Sequence, residues 1–336
     1  MIKKNKSTIY DVAKKAGVSA SMVSRVFVGG YVKAEKRALV EKVVRELGYF
    51  PSPLARGLRG RRTKTLGLVF SWLSHPTVAD YFYSQILSAV VEACAAKDYQ
   101  LLVSNFTGRL DDDSGWRCRQ MLHDSRVDGV LMLAPRSATK ALADMVHDSK
   151  ARVICLCHTD KDLNYVDADQ VSGMEWLLDH LVAKGHRRFS FVSGESSLVS
   201  NAAVRQKAFV EGLRQRGIEV AEPYLRKANF SPDAGRKAMQ QLLELPQPPS
   251  VVVCSSDLQA FGALDYMKDA GIPKDKQPEV TGIDDRPEAA AYNLTTLRQP
   301  FFEMARLATE ELIKGMEARS DSKVQVLMPM QLVKRG

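Results

Sequence analysis

The chain has 336 residues, 45% hydrophobic and 26% charged, which fits a folded protein of about two or three domains and excludes a disordered one. No apolar run approaches the roughly 20 residues of a membrane helix, and the basic start MIKKNK leads into an amphipathic segment instead of a signal region; the expected location is the cytoplasm, with no membrane partner. The formal charge of +9 is uneven: Met1 to Arg62 hold 15 Lys and Arg against 4 Asp and Glu, the rest of the chain 33 against 35, so the surplus marks one end for a polyanion such as nucleic acid.

Charge alone would equally fit a solvated basic tail. The pattern of the first fifty residues argues for DNA. Thr8 and Asp11 have the spacing of a capping box, with Asp in place of Glu, and Ile9, Val12, Ala13 and Ala16 then recur on one helical face. Gly17 supplies the left-handed residue that stops this helix, and Ser19 can cap a second. The second helix is expected to bury Val23, Val26 and Phe27 and to leave Ala20, Ser21, Ser24 and Arg25 outside. Small and hydroxyl-bearing residues there allow the close approach that a helix entering the major groove needs. A third helix, from about Ala34 to Leu47, would turn Leu39, Val40, Val43, Val44 and Leu47 inward.

The stretch YFPSPLARGLRGRRT, Tyr49 to Thr63, follows. Two prolines and two glycines argue against a stable isolated helix, while Leu54, Ala55 and Leu58 would share a face if one formed, so a conditional helix is expected. From Thr65 onward short apolar runs alternate with helical patterns: TLGLVF, QLLVSNF, VDGVLML, RVICLC, RFSFVS, PSVVVCSSD and EVTGID. That alternation implies parallel doubly wound sheets, more than one sheet holds, and hence two lobes with a cleft at the carboxyl ends of their strands. Cys94, Cys118, Cys155, Cys157 and Cys254 form neither a CxxC pair nor a zinc-ligand series and are read as free buried thiols. No nucleophile elbow, P-loop, GxGxxG after a strand or HExxH motif is present, so neither catalytic residue, metal nor cofactor is expected.

The run T-x-x-D-V-A-x-x-A-G-V-S-x-x-x-V-S-R-V, Thr8 through Val26, resembles the headpiece of the lactose-repressor (LacI/GalR) family of bacterial transcription regulators, and the likeness continues through HLVAKGHRRFSFVSG, SSDLQAFGAL and VTGIDDRPEAAAYNLTTLRQP. The resemblance implies an α/β chain of three parts: a three-helix helix-turn-helix headpiece (1–48), a hinge helix (49–63), and a two-lobed domain like the periplasmic binding proteins (64–336). The lobes would comprise 64–165 with 294–323, and 166–293 with 324–336. It further implies a homodimer on operator DNA. Thr8, Ser19, Ala20, Ser21, Ser24 and Arg25 would serve the major groove; Arg56, Leu58 and Arg59 would serve the minor groove, with Leu58 as a wedge between bases.

A small effector, a carbohydrate by first reading and a nucleobase by the second, would bind between the lobes. By family match Asp284 and Arg205 are its principal acceptor and donor and Phe230 an aromatic wall; Phe82 or Tyr83 flanks the cleft entrance, and Ser71, Ser256 and Asp257, at the carboxyl ends of strands, are further contacts. The sequence departs from the family pattern at Val28, Ser52 and Gly57. Ser256 stands where Asn is common, and Cys157 with His158 stands where an Asp-Arg pair is common. These last departures thin the polar complement of the cleft.

Overall fold

A computed structural model of the chain describes residues 7–27, 30–49, 62–71, 80–106, 113–123, 126–133, 151–194 and 200–335. Two compact units divide it, Met1–Thr63 and Lys64–Gly336. Among the described residues no helix is long and apolar enough to cross a membrane.

The first unit holds α1 (Ile9–Ala16), α2 (Ala20–Phe27) and α3 (Ala34–Leu47). Thr8 caps α1 reciprocally: its Oγ1 accepts the Asp11 N–H at 3.3 Å, and the Asp11 carboxylate accepts the Thr8 N–H at 2.7 Å. Gly17, at φ 60°, ends the helix in the left-handed region. Val12, Ala13, Ala16, Val23, Val26, Val40 and Val43 form the core, with Leu47 packed at its edge. Two expected core residues lie outside it. Leu39 is 39% exposed, because it stands at the edge of the α3 face that Val40, Val43 and Leu47 turn to the core. Phe27 is 37% exposed and instead packs its ring edge-on against Tyr49 at 5.9 Å. Arg37 ties the end of α2 to α3, donating to the carbonyls of Val26 at 3.2 Å and Gly30 at 3.0 Å.

The second unit has two six-stranded sheets. One orders its strands β11-β5-β4-β3-β1-β2, all parallel, from β1 (Thr65–Ser71), β2 (Gln100–Phe106), β3 (Gly129–Leu133), β4 (Arg152–Leu156), β5 (Tyr165–Ala168) and β11 (Gln325–Met328). The other orders them β12-β10-β9-β8-β6-β7, from β6 (Phe189–Ser193), β7 (Leu225–Lys227), β8 (Val251–Cys254), β9 (Glu279–Asp284), β10 (Thr295–Arg298) and an antiparallel β12 (Gln331–Val333). Helices α4 (Tyr81–Ala96), α5 (Asp113–His123) and α10 (Phe301–Ala318) pack on the first sheet. Helices α6 (Gln170–Ala183), α7 (Ser200–Gln215), α8 (Pro232–Leu243) and α9 (Asp257–Asp269) belong to the second. The central strands β3, β6 and β8 are buried on both faces, as parallel sheets covered by helices require.

The last two crossings between lobes come later than the expected boundaries. Strand β10 pairs with β9, so residues 294–298 belong to the second lobe and the crossing follows at Gln299. Strand β11 pairs with β5, so residues 325–328 belong to the first lobe and the crossing lies between Met328 and Gln331. Strand β5 carries the first lobe through Ala168, so the first crossing falls at Asp169, inside the 164–169 segment where it was expected. The shifts share one cause: each crossing segment completes a ladder in the lobe it is leaving, and only then runs free of its backbone partners.

Candidate functional site

On the headpiece, Ser21 and Arg25 project from α2 into solvent, while Ala20 and Ser24 are half-buried, Ala20 against the helical core. The expectation that Ala20 stands wholly outside is corrected accordingly. Ser19 is committed locally: its Oγ accepts the Met22 N–H at 3.2 Å and shares a hydrogen with Ser21 Oγ at 2.9 Å. Thr8 sits at the positive end of α1, its hydroxyl donating to Asp11 at 2.7 Å. Arg56, Leu58 and Arg59 lie outside the described residues.

In the two-lobed unit, Arg205 and Asp284 are joined by a relay of side-chain amides. Arg205, on α7, is buried; its Nε donates to Gln170 Oε1 at 2.8 Å and its Nη1 to the Ser255 carbonyl at 2.7 Å. Gln170 Nε2 donates to Gln299 Oε1 at 2.9 Å, and Gln299 Nε2 donates to Asp284 Oδ1 at 2.7 Å. Both glutamines flank interlobe crossings, so the relay runs along the seam between the sheets. Among the described residues Arg205 makes no ion pair, and its Nη2 makes no hydrogen bond. A buried guanidinium with a free edge can donate to a ligand oxygen.

Asp284 ends β9 at φ 130° and Asp285 follows at φ 54°, two successive non-glycine residues at positive φ. Such backbone costs of order 1–3 kcal/mol per residue and persists only where its surroundings impose it. Those surroundings are visible. Asp257, fully buried at the start of α9, accepts the Thr296 hydroxyl at 2.6 Å and the Arg286 N–H at 2.8 Å. Arg298 Nε donates to Asp285 at 2.6 Å, and Arg286 reaches across to Asp80 of the first lobe at 3.1 Å. Burial raises the Asp284 carboxyl well above its ordinary range, and neighbouring Asp257 raises it further, against the pull of Arg205. Burial raises Asp257 in turn, opposed by the Thr296 and Arg286 hydrogen bonds.

Two expected ligand contacts therefore have other work. Each Asp257 oxygen accepts an internal donor, which makes this residue the brace of the Asp284 turn. Ser256 caps α9, its Oγ accepting the Gln259 N–H at 3.3 Å. Both arrangements have one origin: the S-S-D run begins a helix, whose unpaired N–H groups take nearby side-chain oxygens.

Phe230 is half-buried with its ring against Gly194 just beyond β6, where any Cβ would meet it. Phe82 is half-buried at the start of α4 and packs edge-on against Phe301 at 4.9 Å and Tyr83 at 5.0 Å. Ser71 is the last residue of β1. Trp72, His75 and residues 195–197 lie outside the described residues. Cys157, at φ 56°, and His158 are buried beyond β4, and burial raises the Cys157 thiol far above its usual range.

Four buried polar residues of this seam were not anticipated: Asp167, Gln170, Asn201 and Gln299. Their one sequence signal is position, since three of them stand within a few residues of a crossing. Asp167 Oδ1 accepts the Ala168 N–H at 2.7 Å and the Asn201 Nδ2–H at 3.1 Å, the latter from α7 of the other lobe.

The sequence matches two family models: bacterial regulatory proteins of the lacI family over residues 8–52, and the periplasmic binding protein-like domain over residues 178–336. The HTH-type transcriptional repressor PurR of Erwinia tasmaniensis is 30% identical over 336 residues, covering 98% of this chain and 96% of its own. The HTH-type transcriptional repressor CytR of Escherichia coli K12 is 29% identical over 334 residues, with the same coverage. Among solved structures, a Lac repressor dimer bound to operator and the anti-inducer ONPF superposes with a TM-score of 0.83 at 26% identity, covering 98% of both chains. A complex of the transcriptional regulator CelR with cellobiose superposes with a TM-score of 0.73 at 27% identity, covering 98% of this chain and 99% of that one.

Proposed function

The chain belongs to the lacI family of bacterial regulatory proteins and is a DNA-binding transcription regulator, not an enzyme; from that premise we propose that it is a cytoplasmic, homodimeric repressor whose operator affinity is set by a carbohydrate held between its lobes. The observation that carries this reading is the Arg205–Gln170–Gln299–Asp284 relay. It presents a buried donor and a half-buried acceptor on the seam between lobes, as neighbouring sugar hydroxyls require. Phe230 and Phe82 supply ring faces, and the likeness to a cellobiose-bound regulator supports a sugar over other polar metabolites.

In this scheme the headpiece reads bases through Ala20, Ser21 and Arg25, with Thr8, Ser19 and Ser24 alongside, and the hinge sets Arg56 and Arg59 on phosphates and Leu58 into the minor groove. Effector draws the lobes together, alters the spacing of the paired hinges and releases the operator. Such coupling requires the effector to bind one lobe arrangement more tightly than the other. The homodimer is supported by apolar side chains left exposed in the first lobe: Val91 on α4, and Leu102 and Val103 on the edge strand β2. A nucleobase effector is the second reading, favoured by the loss of hydroxyl-binding groups at Cys157, His158 and Ser256.

Selection of bound fragments from genomic DNA, followed by anisotropy titrations with pentoses, hexoses, sugar phosphates and purines, tests the proposal. Release of a selected fragment by a sugar is the expected result. Release by purines alone establishes the second reading, and no fragment bound above scrambled competitor refutes both.

A further inference from the structure

The seam holds a second pair of polar atoms that no described residue serves. Asp167 is fully buried, and its Oδ2 has no hydrogen-bond partner; Asn201 is 5% exposed, and its Oδ1 has none either. The Gln170 side chain lowers the Asp167 carboxyl as a hydrogen-bonding neighbour, but forms no bond of normal distance and angle to Oδ2. The two orphan acceptors belong to the two groups joined by the Asn201 Nδ2–Asp167 Oδ1 bond, which makes them neighbours on the seam. That bond also fixes the amide: with Asn201 turned over, its oxygen would face a carboxylate oxygen.

The internal hydrogen bonds of Asp167 do not need a charge. A neutral amide oxygen could accept from Ala168 and Asn201 equally well, whereas the carboxylate incurs desolvation for a charge that no described ion pair answers. The acid also stands where the departure from the family pattern moved it. Leu156 and Val166 are register partners of β4 and β5, which puts Asp167 across from Cys157, the position where the family commonly has Asp. An acidic acceptor has in effect shifted one strand over, into contact with α7 and in the field of Arg205.

We propose that Asp167 and Asn201 form an acceptor subsite for an amino or ammonium group, so that the effector is a nitrogen-bearing metabolite, either an amino sugar or an amino-substituted nucleoside. This rests on the reading of the seam as the effector site. A nitrogen carrying two or three hydrogens can donate to both acceptors at once, whereas a hydroxyl has one hydrogen and leaves an acceptor unserved. Arg205 Nη2 and Asp284 remain for the hydroxyls of the same molecule.

Calorimetric titration of the full chain with matched pairs tests this: glucose and glucosamine, galactose and galactosamine, uridine and cytidine, inosine and adenosine. In at least one pair the amino member is expected to bind tenfold or more tightly than its partner, and the pair that shows it distinguishes sugar from nucleoside. The ratio is expected to fall below about threefold in Asp167→Asn, which keeps the shape and replaces an acceptor by a donor, and to fall in the same direction in Asn201→Ala. Melting curves of both variants verify the fold. Equal binding within every pair, no binding by any amino member, or a ratio that survives in both variants overturns the subsite. Neutral sugars bound without amino preference, and lost in Asp284→Asn, would overturn it while leaving the effector cleft standing.

Discussion

Asp167 holds a charge that folding disfavours, and its pH dependence follows. Burial raises its carboxyl from 3.8 to about 6, although Ala168 and Asn201 hydrogen-bond it. A raised acid gives stability that is complete below the unfolded value and is lost as pH rises through the folded value. Replacing Asp167 by Asn removes that loss, so the variant should be more stable than the parent by about 1–2 kcal/mol at pH 8, with the difference shrinking toward pH 4. Urea unfolding at the two pH values measures it, and a difference of equal size at both would contradict the assignment. Glu279 carries the opposite sign. Burial alone would raise it, but hydrogen bonds from His186 and Lys184 outweigh burial and hold it down at about 2. Its contribution is present above the ordinary value of 4.5 and is lost as pH falls toward 2. Glu279→Gln should therefore destabilise at pH 7 and converge with the parent at the acid end.

At the scale of elements, α1 depends on its reciprocal cap and the α8–α9 pair on the absence of side chains. Thr8→Ala removes both the acceptor for the Asp11 N–H and the hydroxyl bound to Asp11, at a cost of about 1 kcal/mol to the first helix. Faster amide hydrogen exchange confined to α1 is the expected signature, and unchanged exchange there would contradict it. Helices α8 and α9 meet backbone to backbone: a Cβ on Gly262 would run into the Pro232 carbonyl, and one on Gly235 into that of Gln259. Gly262→Ala should destabilise by about 1–3 kcal/mol or more, read as a lower urea midpoint, because a backbone cannot yield as a side chain can. An unchanged midpoint would show that the helices separate without penalty.

These elements also show how far the sequence could be read. The cap, the Gly17 stop and the strand-helix alternation are legible because each is local: spacing of three or four residues, or an apolar run, carries the signal. Leu39 and Phe27 misled because apolar character was visible and the third partner of the face was not. The relay was half legible. Arg205 and Asp284 came through family likeness, but Gln170 and Gln299 are 129 residues apart and Asp167 and Asn201 are 34 apart, joined only by where the chain crosses between sheets. No periodicity announces a polar residue whose partner is in the other lobe. Asp257 and Ser256 show the converse, since a residue type suited to ligands is equally suited to starting a helix.

For the whole molecule, a basic amino-terminal unit and a two-lobed unit serve one purpose only if the state of the seam is felt at the DNA. Two interlobe bonds, Arg286 to Asp80 and Asn201 to Asp167, and the Gln170–Gln299 bond between crossing segments give the seam a definite arrangement. A ligand that replaces or tightens some of these has the differential free energy that a change of operator affinity demands. The most direct measurement is operator affinity of the full chain by anisotropy, with and without the metabolite that calorimetry identifies, in the parent and in Asp284→Asn. The metabolite is expected to weaken parent binding by about tenfold or more, while the variant binds ligand-free operator normally and ignores the metabolite. A variant that responds as the parent does, or a parent whose operator affinity no bound metabolite changes, would contradict it.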